Sequence, residues 1–197
     1  MNTKSADYYN VDSLLSEENK LVRDSVREWV KENVSPVIEK GNLDGYFPKE
    51  LIKKLAEIGG FGGILPEQYG GASIDFISYG LMMQEFERGD SSVRVLASIQ
   101  TSLVMNTIYK HGSEYLKEKY LKKLSEGDII GSFGMSEPNH GSDPSSMNTI
   151  YEECEGFYLV NGSKMWIGNA PICDIAIIWA RSKNGSYACF LVDRETS

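Results

Sequence analysis

Leu-Ser-Glu-Gly-Asp-Ile-Ile-Gly-Ser-Phe-Gly-Met-Ser-Glu-Pro-Asn-His-Gly-Ser-Asp-Pro-Ser-Ser, residues 124–146, is where the chain changes its period. Before it, Leu116, Tyr120, Leu121 and Leu124 fall on one face of a helix from Ser113 to Leu124, which Gly127 stops. After it come short runs rich in β-branched and aromatic residues: 129–135, 155–161, 164–167, 174–181 and 187–192. Gly, Asn or Pro turns separate them, so each is expected to be a strand. The fold class is therefore α+β: an N-terminal all-helical domain, residues 1–127, followed by a small β domain, residues 128–197.

Working outward on the helical side, Ser16 can cap a run whose apolar residues Leu21, Val22, Val26, Trp29, Val30 and Val34 keep helical spacing, and Pro36 closes it. A second helix starts at Pro48 and stops at Gly59-Gly60. A third runs from Asp75 toward Arg88, and a fourth from Ser91 to Tyr109. No internal repeat or low-complexity segment is visible.

Composition narrows the function classes. The 197 residues are 41% hydrophobic and 24% charged, ordinary for a globular protein, with a net charge of −8. Nucleic acid is excluded as a partner, because no cluster of Lys and Arg offsets that charge. Cys154, Cys173 and Cys189 lie far apart and odd in number, which fits reduced thiols and a cytoplasmic setting. The first twenty residues carry Asp7, Asp12, Glu17 and Glu18, unlike a secretory or transit peptide. No stretch approaches the roughly 20 apolar residues of a membrane span. His111 and His140, standing alone, make no metal site.

Between Asp90 and Lys110 the one charged residue is Arg94, on a helix apolar almost all round. Two readings stay open. Buried, Arg94 needs an anion, and with Ser98 one turn later it can grip a carboxylate. Near the helix start, it reaches solvent or pairs with Asp90 or Glu87.

Residues 133–146 place a strand end, a carboxylate, a glycine turn and hydroxyls together. That equipment can present N–H groups and Ser side chains to a polar or phosphate-bearing ligand. Gly-Ser-Asp-Pro-Ser-Ser is equally a plain turn with Asp and Ser capping. Trp166, in the same way, can be an ordinary strand-core residue. Neither a Gly-x-Gly-x-x-Gly fingerprint nor a Walker loop is present.

The landmarks Ser132-Phe133-Gly134-Met135-Ser136-Glu137-Pro138, Gly141-Ser142-Asp143 and Asn161-Gly162-Ser163-Lys164-Met165-Trp166-Ile167 closely resemble those of the acyl-CoA dehydrogenase family. Tyr69-Gly70-Gly71, Glu85-x-Glu87-Arg88 and His111-Gly112-Ser113-Glu114 also match, so the resemblance covers nearly the whole chain. Within the family, Arg94 with Ser98, Ser102-Leu103-Val104-Met105 and Pro144-Ser145-Ser146-Met147 are most similar to glutaryl-CoA dehydrogenases.

The resemblance implies FAD as cofactor, an acyl-CoA thioester as substrate, an electron-transferring flavoprotein as partner, and a homo-oligomer for the full-length form. Phe133, Met135 and Ser136 would lie beside the flavin ring, Gly141 and Ser142 near the pyrophosphate, and Trp166 against the ring. Arg94 and Ser98 would bind the distal carboxylate of glutaryl-CoA, a planar group that a guanidinium fork suits. The implied chemistry is removal of an α proton by a glutamate with hydride transfer from the β carbon to flavin N5. In the glutaryl branch the enoyl thioester then loses its carboxylate as carbon dioxide, leaving crotonyl-CoA.

The chain departs from the pattern in four places. It has no counterpart of the family's C-terminal helical domain, so no residue is assigned as the catalytic base, and Glu137 is read as structural. His140 stands at a position usually small. Gly168 stands where a Ser or Thr hydroxyl usually reaches flavin N5, leaving its backbone N–H to substitute. Val95 replaces a hydroxyl often found near the carboxylate site. The alternatives are a short- or branched-chain acyl-CoA dehydrogenase, or a non-catalytic truncated product.

Overall fold

The computed structural model describes residues 8–196; Asp7, in the polar opening stretch, lies outside them. Helix α1 (Glu17–Asn33) begins as Ser16 predicts. Ser16 Oγ accepts the Asn19 N–H at 3.1 Å, and Asn19 Oδ1 accepts the Ser16 N–H at 3.2 Å. Two donors that no helical carbonyl can reach are thereby satisfied reciprocally. Pro36 does not close this run. Helix α2 (Ser35–Asp44) follows at once with Pro36 in its first turn, where the missing N–H costs nothing, and Gly45 ends it at φ 72°.

Helix α3 (Glu50–Glu57) buries Leu51, Ile52 and Leu55. Helix α4 (Phe76–Gly89) is capped by Asp75, whose Oδ1 accepts the N–H groups of Ile77 at 2.8 Å and Ser78 at 3.0 Å. The Asn19 amide donates to Asp75 Oδ2 at 3.1 Å and Ser78 Oγ at 2.9 Å, so the starts of α1 and α4 are locked together. Farther along, the fully buried Glu85 carboxylate receives Arg27 at 2.8 Å and Arg88 at 3.1 Å.

The expected fourth helix is three segments in one rod: α5 (Ser91–Ser98), a π-helical stretch Ile99–Met105, and α6 (Asn106–His111). Helix α7 (Glu114–Ser125) completes the helical part. The wide turn brings the Gln100 side chain to three backbone groups. Its amide donates to Leu124 O at 3.0 Å and Ile129 O at 2.9 Å, and its Oε1 accepts the Gly131 N–H at 2.8 Å. Gln100 is fully buried, so each of these bonds replaces water that cannot enter.

The sheet comprises β1 (Gly131–Gly134), β2 (Ile150–Cys154), β3 (Phe157–Asn161), β4 (Ile175–Ser182) and β5 (Tyr187–Asp193). Two expectations need correction. Lys164 to Ile167 is not a strand, because Trp166 adopts φ 61°, outside any β ladder. Conversely, β2 escaped notice, since two adjacent glutamates, Glu152 and Glu153, break the alternation that marks a half-buried strand.

Strand β4 is central. Along one edge it pairs antiparallel with β5. Its other edge is shared, with β1 parallel beside Ile175–Ile178 and β2 parallel beside Arg181 and Ser182. Residues 135–149 therefore leave this edge after β1 and return to it at β2. One apolar core joins both parts, with Phe86, Leu96, Val104, Met105 and Leu124 of the helices packed in the same cluster as Ile130, Ile175 and Ile177. No helix of the described residues is long and apolar enough to cross a membrane.

Candidate functional site

The excursion at residues 135–149 is closed at its base by Glu137. This residue is only 5% exposed, and its carboxylate accepts the N–H groups of Asn148 at 2.5 Å and Thr149 at 2.9 Å. The Lys164 ammonium donates to the same carboxylate at 2.9 Å and to the Met135 carbonyl at 3.0 Å. Burial opposes the charge on Glu137. The Asn148 N–H, the Lys164 ammonium and the Thr149 N–H outweigh it and hold the carboxyl down to about 2. Glu137 is thus the anchor of the loop, the structural role expected of it.

Above this anchor, the Met165 N–H donates to the Ser136 carbonyl at 2.9 Å, so the strand end and the turn that carries Trp166 are tied together. Met135 and Ser136 are half-buried there. Phe133 turns its ring inward, edge-on to Trp179 at 6.3 Å, and offers the site its backbone. Trp166 does the opposite: its side chain is 88% exposed on a backbone in the left-handed region. A bulky residue in that conformation is strained, and such strain persists where a ligand contact or a rigid surrounding holds it. The ordinary strand-core reading of Trp166 is thereby set aside.

Gly168 explains its own identity. A Cβ there would lie 2.2 Å from Ile99 Cδ1 and 3.6 Å from Val95 Cγ1. The turn after Trp166 therefore packs on the rod that carries Arg94 and Ser98, and a Ser at this position would have to displace Ile99. The two regions pack closely here, and Val95, which replaces another hydroxyl, is part of the same contact.

At the loop tip, Gly141 and Ser142 are exposed, and a Cβ on Gly141 would meet nothing within 4 Å. The protein's own packing does not require glycine there. Asp143 accepts the hydroxyls of Ser145 and Ser146, so the tip is also the self-capped turn that its composition suggests. His140 exchanges backbone bonds with Glu137 at 3.1 and 3.2 Å. Its ring meets the Asn148 amide at 3.1 Å, so the larger side chain is taken up within the loop.

The structure places Arg94 half-exposed, with Nε donating to Glu87 at 2.7 Å. Of the two readings of this residue, a pair with Glu87 near the helix start is the one seen, and full burial is corrected: only the Val93, Leu96 and Ala97 face of α5 is fully covered. Arg94 holds the Glu87 carboxyl below its ordinary value, with Ser91 assisting. The bond to Glu87 uses one N–H of the fork, and the guanidinium has further donors. Ser98 stands half-buried one turn on, and Tyr79 Oη bonds Ser102 Oγ at 2.8 Å beyond it.

Sequence reasoning missed Gln100, and left Lys164 inside a landmark without a role. Each carried a signal. For Gln100 it is a long amide on an apolar rod, and for Lys164 it is a place inside a landmark of the resemblance. Among the described residues, no group of three or more His, Cys, Asp or Glu is placed to hold a metal.

A helical domain docked on a small mixed sheet, with an exposed Trp beside a pinned strand end, defines the class of protein. Residues 16–128 match the acyl-CoA dehydrogenase N-terminal domain, and residues 132–197 match the acyl-CoA dehydrogenase middle domain. The chain belongs to the acyl-CoA dehydrogenase family, whose members are FAD-dependent oxidoreductases.

Among its relatives, a mitochondrial 2-methylacyl-CoA dehydrogenase of Solanum tuberosum is 33% identical, covering 95% of this chain and 47% of that protein. A glutaryl-CoA dehydrogenase of Desulfococcus multivorans is 35% identical over 86% of this chain and 44% of the relative. A crystal structure of a glutaryl-CoA dehydrogenase from Mycobacterium smegmatis in complex with FADH2 superposes with a TM-score of 0.90. It is 37% identical and covers 94% of this chain and 47% of that one. The chain spans about half the length of the relatives it matches.

Proposed function

We propose that these residues form the flavin side of an FAD-dependent acyl-CoA dehydrogenase of the glutaryl-CoA type. The observation that carries the reading is Trp166, a strained and 88% exposed indole beside the strand end that Lys164 and Met165 hold. A flat aromatic partner suits that surface, since offset ring stacking adds roughly 1 kcal/mol to burial. FAD, when bound, accepts the hydride leaving the substrate's β carbon.

The chain's own groups would divide the remaining work. Trp166 and the backbone of Phe133, Met135 and Ser136 would seat the flavin ring, with the Gly168 N–H in place of a hydroxyl. Gly141 and Ser142 would receive the pyrophosphate, one by leaving room and the other by donating an O–H. No residue here is assigned as the base for the α proton, and Glu137 is buried in its own hydrogen bonds. Electrons would pass to an electron-transferring flavoprotein, and a homo-oligomer in the cytoplasm is the assembly we propose for the full-length protein.

Arg94 and Ser98 support the finer substrate assignment. Their rod touches the Gly168 turn through Val95 and Ile99, and with the flavin seated at that turn the Arg94 guanidinium would serve as a carboxylate-binding fork near its edge. A dicarboxylyl thioester is the substrate class such a fork selects.

The test is Arg94→Ala in the full-length protein. A lost charge-assisted bond is worth about 1.5–3 kcal/mol, so the KM for glutaryl-CoA should rise roughly 10- to 100-fold. That for butyryl-CoA should move by less than about threefold. Equal effects on both substrates would remove the reason for naming the glutaryl branch.

A further inference from the structure

Lys164 is the one cation among the described ion pairs whose side chain and partner are both nearly covered, at 8% and 3% exposure. A buried pair of this kind is weak ground for stability, because desolvation offsets the attraction. Its geometry, however, does more than neutralise Glu137. The same ammonium bonds the Met135 carbonyl at 3.0 Å, one residue beyond the end of β1. The next residue of each segment is joined as well, Met165 N–H to Ser136 carbonyl at 2.9 Å. Two adjacent bonds thus clamp 135–136 against 164–165, with Trp166 the next residue out.

We propose that Lys164 is a positioning residue for the flavin: its bond to the Met135 carbonyl sets the spacing and tilt between the Met135–Ser136 backbone and the Trp166 ring. The inference rests on the flavin reading above and assigns to Lys164 a task that its pairing with Glu137 alone does not require. Without the ammonium, the Met135 carbonyl has no donor and the strand end can turn away from Trp166. A planar ligand then meets two surfaces that no longer share a plane. Sites held within about 0.5 Å of their productive geometry depend on such supporting bonds.

The experiment separates positioning from charge burial. Lys164→Met alone leaves the Glu137 carboxylate unpaired and is expected to lower the thermal midpoint. Glu137→Gln alone keeps the Lys164 ammonium within reach of the Met135 carbonyl, and its own midpoint and FAD affinity set the baseline for the double variant. In the Glu137→Gln background, Lys164→Met leaves no charge unpaired. That double variant should regain most of the midpoint yet bind FAD roughly tenfold or more weakly, with an altered visible flavin spectrum. Lys164→Ala in the same background serves if the Met variant does not fold. A double variant with the FAD affinity and spectrum of Glu137→Gln would overturn the proposal. Failure of the wild-type chain to take up FAD would instead overturn the flavin reading, and this inference with it.

Discussion

Two ion pairs on the two sides of the site are built differently. Glu137 and Lys164 are 3% and 8% exposed, and backbone N–H groups and a carbonyl complete their bonding. Glu87 and Arg94 are 46% and 36% exposed, and their bond involves one arm of the guanidinium. The first pair is framework: neither partner can leave without stranding a buried charge. The second is adjustable, since water can replace either partner at little cost. A cofactor that stays bound calls for the former, and a substrate that must enter and leave calls for the latter.

Acid should break this comparison most visibly. The Glu137 carboxyl is held at about 2, against an ordinary value of 4.5. A group whose folded value is depressed stabilises fully above its ordinary value and loses that contribution as pH falls toward the folded one. Denaturant unfolding between pH 4.5 and 2 should therefore show a fall of about 3 kcal/mol that Glu137→Gln removes. An identical pH slope in wild type and variant would show that the anchor is not charged.

The exposed pair sharpens the contrast from the other end. Glu87→Gln should leave the thermal midpoint where it was while releasing the Arg94 fork, a change seen in substrate KM alone. A fall in midpoint comparable with that of Lys164→Met would mean that Arg94 belongs to the framework.

How much of this was legible in the sequence depends on what kind of physics each residue obeys. Ser16 and Asp75 announce their helices because capping is local, a side chain answering the N–H groups of the next turn. Pro36 reads as the end of the first helix and instead opens α2, since a proline is as suitable for the first turn of a new helix as for the end of an old one. The alternation Lys164, Met165, Trp166, Ile167 imitates a strand, and the left-handed backbone at Trp166 contradicts it.

The candidate site follows the same division. Phe133 to Ser142 and Trp166 are proposed by resemblance, whereas the contact of Gly168 with Ile99, nearly seventy residues earlier, appears only in the packing. For Arg94 the helix considered alone leaves burial and a surface pair with Glu87 both open. Its exposure follows from which face of α5 the core covers, and the sequence of the helix does not contain that choice.

The central claim is that the edge formed by Met135, Ser136 and Trp166 seats a flavin. Titrating the full chain with FAD, with flavin fluorescence and tryptophan emission followed together, tests it directly. Saturable one-to-one quenching of both signals, with the Trp166→Ala variant binding at least about tenfold more weakly, is the predicted result. Absence of saturable binding, or binding indifferent to Trp166, would contradict it.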